Sequence, residues 1–148
     1  MIQLTEEMAR LINHARDDGY PCIVGTASGD GTPNCGYIGT VLTVGDDRLI
    51  YRDRTGRVPL DHIEENPKVI VLFRNTEQDV GWKFRCTAGV YRDGPVFEEM
   101  IDLLLESGLI AERHLPDGSQ GTIVSLRIDQ VLTLFGEVLQ ERESGLQW

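Results

Sequence analysis

Residues 51–69 read YRDRTGRVPLDHIEENPKV. This stretch joins three patterns. "RLIYRD" (48–53) is a short strand by its apolar centre and polar ends. Thr55-Gly56 breaks it. A short helix runs from about Pro59 to Glu65, and Asn66-Pro67 stops it. "KVIVLFR" (68–74) follows as a strand that is apolar on both faces at its centre. The same stretch is basic in an acidic chain. The formal net charge is −10 and the pI about 4.6, yet Arg48, Arg52, Arg54 and Arg57 fall within ten residues.

Outward from this stretch the strand signals continue. Before it lie "CIVGTA" (22–27), a turn over "SGDGTP" (28–33) with Asp30-Gly31 as a hairpin signal, and "NCGYIGTVLTV" (34–44) with glycines at 36 and 39. After it, "GWKFRCTAGVYR" (81–92) alternates. Trp82, Phe84, Cys86 and Ala88 share one face, and Lys83, Arg85 and Thr87 the other. "TIVSLRIDQVLTLF" (122–135) is the last strand, followed by a polar tail over 136–148. Helices are predicted at the N-terminus, with Thr5 as N-cap and Met8, Leu11, Ile12 and Ala15 as its apolar stripe, and over about 96–107. In the second, Val96, Met100, Leu103 and Leu104 form the stripe, and Phe97 and Ile101 broaden it. Strands and helices do not alternate as a parallel sheet requires, so a small antiparallel barrel with a few helices fits best. The 148 residues make one domain, 1–148, large enough to bury a core without staples.

Composition narrows function. An acidic surface repels nucleic acid and anionic membrane, so neither is expected as a partner. No apolar run approaches the length of a membrane span, and the N-terminus is not patterned as a signal peptide. Cys22, Cys35 and Cys86 are odd in number and widely spaced, which reads as buried or half-buried free thiols in a reducing cytoplasm. The common nucleotide-loop, zinc and nucleophile-elbow motifs are absent, and no catalytic or metal-ligating residue is nominated. His14 and His62 lie on predicted helices, and His114 in a loop.

The arginines admit two readings. They can be surface ion pairs: Arg48 with Asp46 and Asp47, Arg52 and Arg54 with Asp53, Arg57 with Asp61. Or they form an anion site, where guanidinium forks, the Thr55 hydroxyl and a helix start meet a phosphate. Pro59 removes one N–H donor from that helix start.

In order and spacing, "CIVGTA" with "DGTPN", "HIEENPKVIVLF" and "FRCTAGVYRDGP" resemble the FMN-binding split-barrel family, the relatives of pyridoxamine 5′-phosphate oxidase. The resemblance covers nearly the whole chain, and "IEENPKV" and "TAGVYRDGP" are its most specific pieces. It implies an α+β fold, mainly β, built as a six-stranded antiparallel Greek-key split barrel. It also implies a homodimer with FMN at the subunit interface and a small-molecule substrate. The second strand would offer Asn34, Cys35 and Gly36 to the flavin ring. The corner would offer Tyr51, Arg52, Asp53, Arg54, Thr55, Arg57 and Val58 to the ribityl chain and phosphate, with the partner's strands around Trp82 closing the site. The family often places a basic and then a small or hydroxyl residue where this chain has Val58-Pro59. The activity implied is that of a flavin-dependent oxidoreductase. The alternatives are a non-enzymatic FMN or electron-transfer protein, or a member using deazaflavin or haem, with His114 as the axial ligand to test for haem.

Overall fold

The structure, a computed structural model, describes residues 1–54, 56–143 and 148. The chain runs α1 (Glu6–Asn13), β1 (Cys22–Ala27), β2 (Pro33–Ile38), β3 (Leu42–Val44), β4 (Arg48–Asp53), α2 (Leu60–Glu65), β5 (Lys68–Asn75), β6 (Val80–Tyr91), α3 (Gly94–Ser107), β7 (Thr122–Leu132) and β8 (Val138–Glu141). All pairings are antiparallel, in the order β2-β1-β5-β6-β7-β4-β3, with β8 beside β7. The mainly β split-barrel expectation holds.

The strand count does not. The sequence reading gives six strands, and the sheet has eight. The predicted strand 34–44 is two strands. It pairs with β1 as far as Ile38, turns at Gly39-Thr40, and then pairs with β4 from Leu42, on the far side of the sheet. A Cβ at Gly39 would come within 3.1 Å of Arg16 Cδ, so the chain crosses there because the residue has no side chain. The eighth strand, Val138–Glu141, comes from the tail. The turn at Thr133–Gly136 folds it back onto β7.

The helices follow their caps. Thr5 Oγ1 accepts from Met8 N at 3.1 Å, and Met8, Leu11 and Ile12 are buried. α2 begins one residue after Pro59, which occupies its N-cap. α3 starts two residues before the expected position and ends at Gly108 in the left-handed region, φ 80°. Its buried stripe is Phe97, Met100, Ile101 and Leu104. Val96 is 38 % exposed, because the buried face centres on Phe97, Ile101 and Leu104 and leaves Val96 at its margin.

Two cores result. The barrel interior gathers Val24, Leu49, Val71, Phe73, Phe84 and Leu126, and α1 closes it with Leu11 and Ile12. A second core lies between α3 and the outer face of β4 and β7, where Ile50 and Ile123 meet Phe97, Ile101 and Leu104. Leu109 and Ile110, just after α3, are buried in this second core. That anchor fixes the following loop over the end of β4.

Candidate functional site: an arginine-lined cleft

Alternation along β4 decides which side chains reach the cleft. Leu49 and Tyr51 point into the barrel, and Ile50 belongs to the α3 side. Arg48 and Arg52 share the face of Ile50. Arg48 stays within the sheet, donating from Nη1 to Ser125 Oγ at 2.7 Å. Arg52 sits at the strand's end, where a cleft of about 240 Å³ opens. Arg16, Arg52, Arg54 and Arg57 line it, with Tyr37 and the Ile38–Thr40 turn. No carboxylate is among the lining residues.

Each arginine is held in a way that leaves its charge open. Arg52 is 6 % exposed. Its Nη1 donates to the carbonyls of Glu112 (3.1 Å) and Arg113 (2.8 Å), while Nε has no partner among the described residues. Burial, and then the charge of Arg54, push the Arg52 guanidinium below its usual value. Gly121, at φ 72°, packs on the Arg52 stem, where a Cβ would approach Cδ to 3.2 Å. Thr40 Oγ1 accepts from Arg52 N at 3.2 Å, tying the Gly39-Thr40 turn to β4. Arg16 donates from Nη1 to the Leu109 carbonyl at 2.8 Å, and its one carboxylate neighbour among the described residues, Asp17, lies at 3.5 Å. Arg54 and Arg57 are exposed and form no ion pair among the described residues.

The surface ion-pair reading therefore fails for Arg48, Arg52, Arg54 and Arg57: none of the pairs expected from the sequence occurs among the described residues. Asp53 shows why. It lies between two arginines in sequence, but the pleat turns it away from Arg52. It is 8 % exposed, and its Oδ1 has no partner among the described residues.

The other nominated residues fall into groups. Asn34 and Gly36 adjoin the corner through Arg57. Asn34 Nδ2 donates to the Arg57 carbonyl at 3.1 Å, and a Cβ at Gly36 would meet that same oxygen at 3.1 Å. Cys35 is exposed on the strand's other face, unlike the buried Cys22 and Cys86. Tyr51 and Val58 are fully buried in the barrel core. Thr55 lies outside the described residues. His114 is exposed and next in sequence to Arg113, whose carbonyl holds Arg52. Among the described residues, no His, Cys, Asp and Glu cluster suits a metal ion.

Sequence reasoning missed Arg16 and the lining residues Tyr37, Ile38, Gly39 and Thr40, and of these Arg16 carries the charge. It lies in "HARDDGY", beside two aspartates, and nothing local marks it. Its partner Leu109 is 93 residues away.

The fold is that of a split barrel, and at the end of β4 it carries a cleft lined by four arginines. The family model for pyridoxamine 5′-phosphate oxidase matches residues 4–135, and the chain belongs to that family. No curated protein matches the chain. Among solved structures it is similar to HupZ of Group A Streptococcus (TM-score 0.72, 22 % identity, covering 93 % of this chain and 99 % of that one). It is also similar to an FMN-binding protein of Syntrophomonas wolfei (TM-score 0.64, 16 % identity, 86 % and 84 % covered). A third is HutZ, the heme storage protein of Vibrio cholerae (TM-score 0.61, 16 % identity, 84 % and 92 % covered). At these identities the likeness is one of fold. Among the described residues no helix is long and apolar enough to cross a membrane.

Proposed function

We propose that this chain is an FMN-binding flavoprotein acting as a flavin-dependent oxidoreductase on a small molecule, with the cofactor's phosphate held by Arg54 and Arg57. One observation carries the reading: four arginines line one cleft with no carboxylate among them. Bringing like charges together without neutralising them costs free energy, and an anionic ligand recovers it. Arg54 and Arg57 are the exposed pair, free to close on phosphate as planar forks. They take the place of the basic and hydroxyl residues that the family often carries where Val58 and Pro59 stand. Asn34 and Gly36 bring β2 against the same corner, and β2 offers its backbone to the ring. The flavin supplies the hydride or electron chemistry, which is why no acid or base is required of the protein. In the double variant Arg54→Ala/Arg57→Ala, FMN affinity falls by about 100-fold or more. Fluorescence titration with FMN measures this, and a variant that retains flavin like the parent defeats the placement.

A second copy of the chain completes this reading. Ile23, Ile70 and Leu72 share one face of β1 and β5 and are only half-buried, and Tyr37 beside them is 57 % exposed. Tyr37 also lines the cleft, so a partner on this face would adjoin the cofactor. A charge there, as in Ile70→Asp, converts a dimer to monomer by light scattering and lowers FMN affinity with it.

Haem is the second reading, favoured by the exposed His114 beside the clamp on Arg52. The absorbance spectrum of the purified protein separates the two: a flavin pair of bands near the blue edge, or a Soret band lost in His114→Ala.

A further inference from the structure

We propose that Arg16 and Arg52 form a second anion subsite in the cleft, built for the carboxylate of a small organic acid and separate from Arg54 and Arg57. The proposal deepens the flavin reading, on which it rests for the use of the other subsite by phosphate.

Arg57 is positioned by β2, and Arg16 and Arg52 by the turn that follows it. Arg57 lies against Asn34 and Gly36. Arg16 lies against Gly39, and Arg52 is tied to Thr40. The cleft they share has a volume of about 240 Å³ and is lined by all four arginines.

The two pairs also differ in how they are held. Arg54 and Arg57 are exposed and unclamped. Arg16 and Arg52 are clamped by one loop, which offers the carbonyls of Leu109, Glu112 and Arg113 to their Nη1 atoms. That loop is itself fixed. Leu109 and Ile110 are buried in the second core, and Arg113 is paired with Glu98 at 2.6 Å and with Asp102 on α3. Backbone carbonyls orient a guanidinium without cancelling its charge. Arg16 also has the exposed Asp17 at 3.5 Å from its Nε, a long and solvated pair that cancels little of its charge. Two forks oriented in this way are preorganised for a planar oxyanion, because less rotamer freedom remains to be lost on binding. The Nε of Arg52, on a side chain 6 % exposed, has no partner among the described residues, which leaves a buried donor for a ligand to satisfy. Tyr37 at the mouth gives a flat acid a ring to stack on.

Benzoate is the probe. Calorimetric titration of the full chain at low salt gives saturable binding. Arg16→Gln weakens it at least about tenfold, and more than it weakens FMN. Arg16→Lys, which keeps the charge and loses the fork, falls between. Arg54→Ala/Arg57→Ala loses FMN and keeps benzoate within about threefold. Arg16 is exposed, so its variants fold, and a thermal melt checks this. Parental benzoate affinity in Arg16→Gln overturns the subsite. So does the absence of saturable binding up to about 50 mM, or loss of benzoate in the double variant alone. A double variant that keeps flavin while Arg16→Gln loses benzoate defeats the phosphate placement and supports the carboxylate subsite.

Discussion

Two clusters of arginine lie at opposite ends of β4, and they are built by opposite rules. At the start of the strand, around Asp129, every charge has an answer. Asp129 is fully buried, placed where the β6–β7 register slips between Arg85 and Cys86. It accepts from Thr87 Oγ1 at 2.5 Å and from Arg127 Nε at 3.1 Å, with Arg142 Nε at 3.6 Å. Arg142 also reaches Asp47 at 3.0 Å and the Ile128 carbonyl. This cluster pins β8 to the barrel. At the far end of the strand, Arg52, Arg54 and Arg57 have carbonyls or solvent for partners and no ion pair among the described residues, and Arg16 has only the exposed Asp17 at 3.5 Å besides its carbonyl. The residue type is the same. The difference is whether the anion comes from the chain. A charge answered within the chain holds the fold together; a charge left open at a cleft is a place for a ligand.

The largest effect should come from breaking the answered cluster. Asp129→Ala leaves Arg127 and Arg142 beside a cavity without their anion. Removing one partner of a buried pair commonly costs 3–5 kcal/mol, and the partial exposure of both arginines brings the expected loss to about 2–3 kcal/mol. Urea unfolding measures it. The open cluster should answer in the opposite way. Arg54→Ala/Arg57→Ala changes stability by under about 0.5 kcal/mol, and in the ligand-free protein raises it if anything, since like charges are removed. If both variants lose stability equally, the distinction between the clusters is wrong.

The asymmetry also explains what the sequence could and could not reveal. The corner 51–69 was legible because strand, turn, helix and stop follow each other within one stretch. α1 was legible from Thr5 and its apolar stripe. The split of 34–44 was not, since "YIGTVL" is apolar throughout and only a contact with Arg16 shows why the chain turns at Gly39. The eighth strand was hidden because it is only four residues long, VLQE, and is set by its pairing with β7 rather than by an apolar pattern of its own. Arg16 was hidden for the same reason: its role depends on a carbonyl 93 residues away. Cys35 was expected at least half-buried and is exposed, because β2 is an edge strand with one partner, β1. Local order is written in neighbouring residues, whereas sites assembled across the chain are not.

The smallest effect concerns Asp53, the carboxylate that stands beside the open cluster and does not neutralise it. Burial raises its pKa, and the Gly56 N–H bond lowers it by less. The folded value therefore lies above the unfolded one, about 3.9. The folded state holds this proton more tightly, so the group's contribution to stability is full below the unfolded value and is lost as pH rises through the folded one. At neutral pH the charged Asp53 is then a cost. Asp53→Asn keeps the oxygen that accepts from Gly56 and removes the charge. It should be slightly more stable than the parent at pH 7 and equal to it at pH 3. Urea midpoints at the two pH values check the sign. A variant that is less stable at pH 7 would mean that Asp53 does answer Arg52 or Arg54 through space, and that the cleft is less open than its lining residues make it.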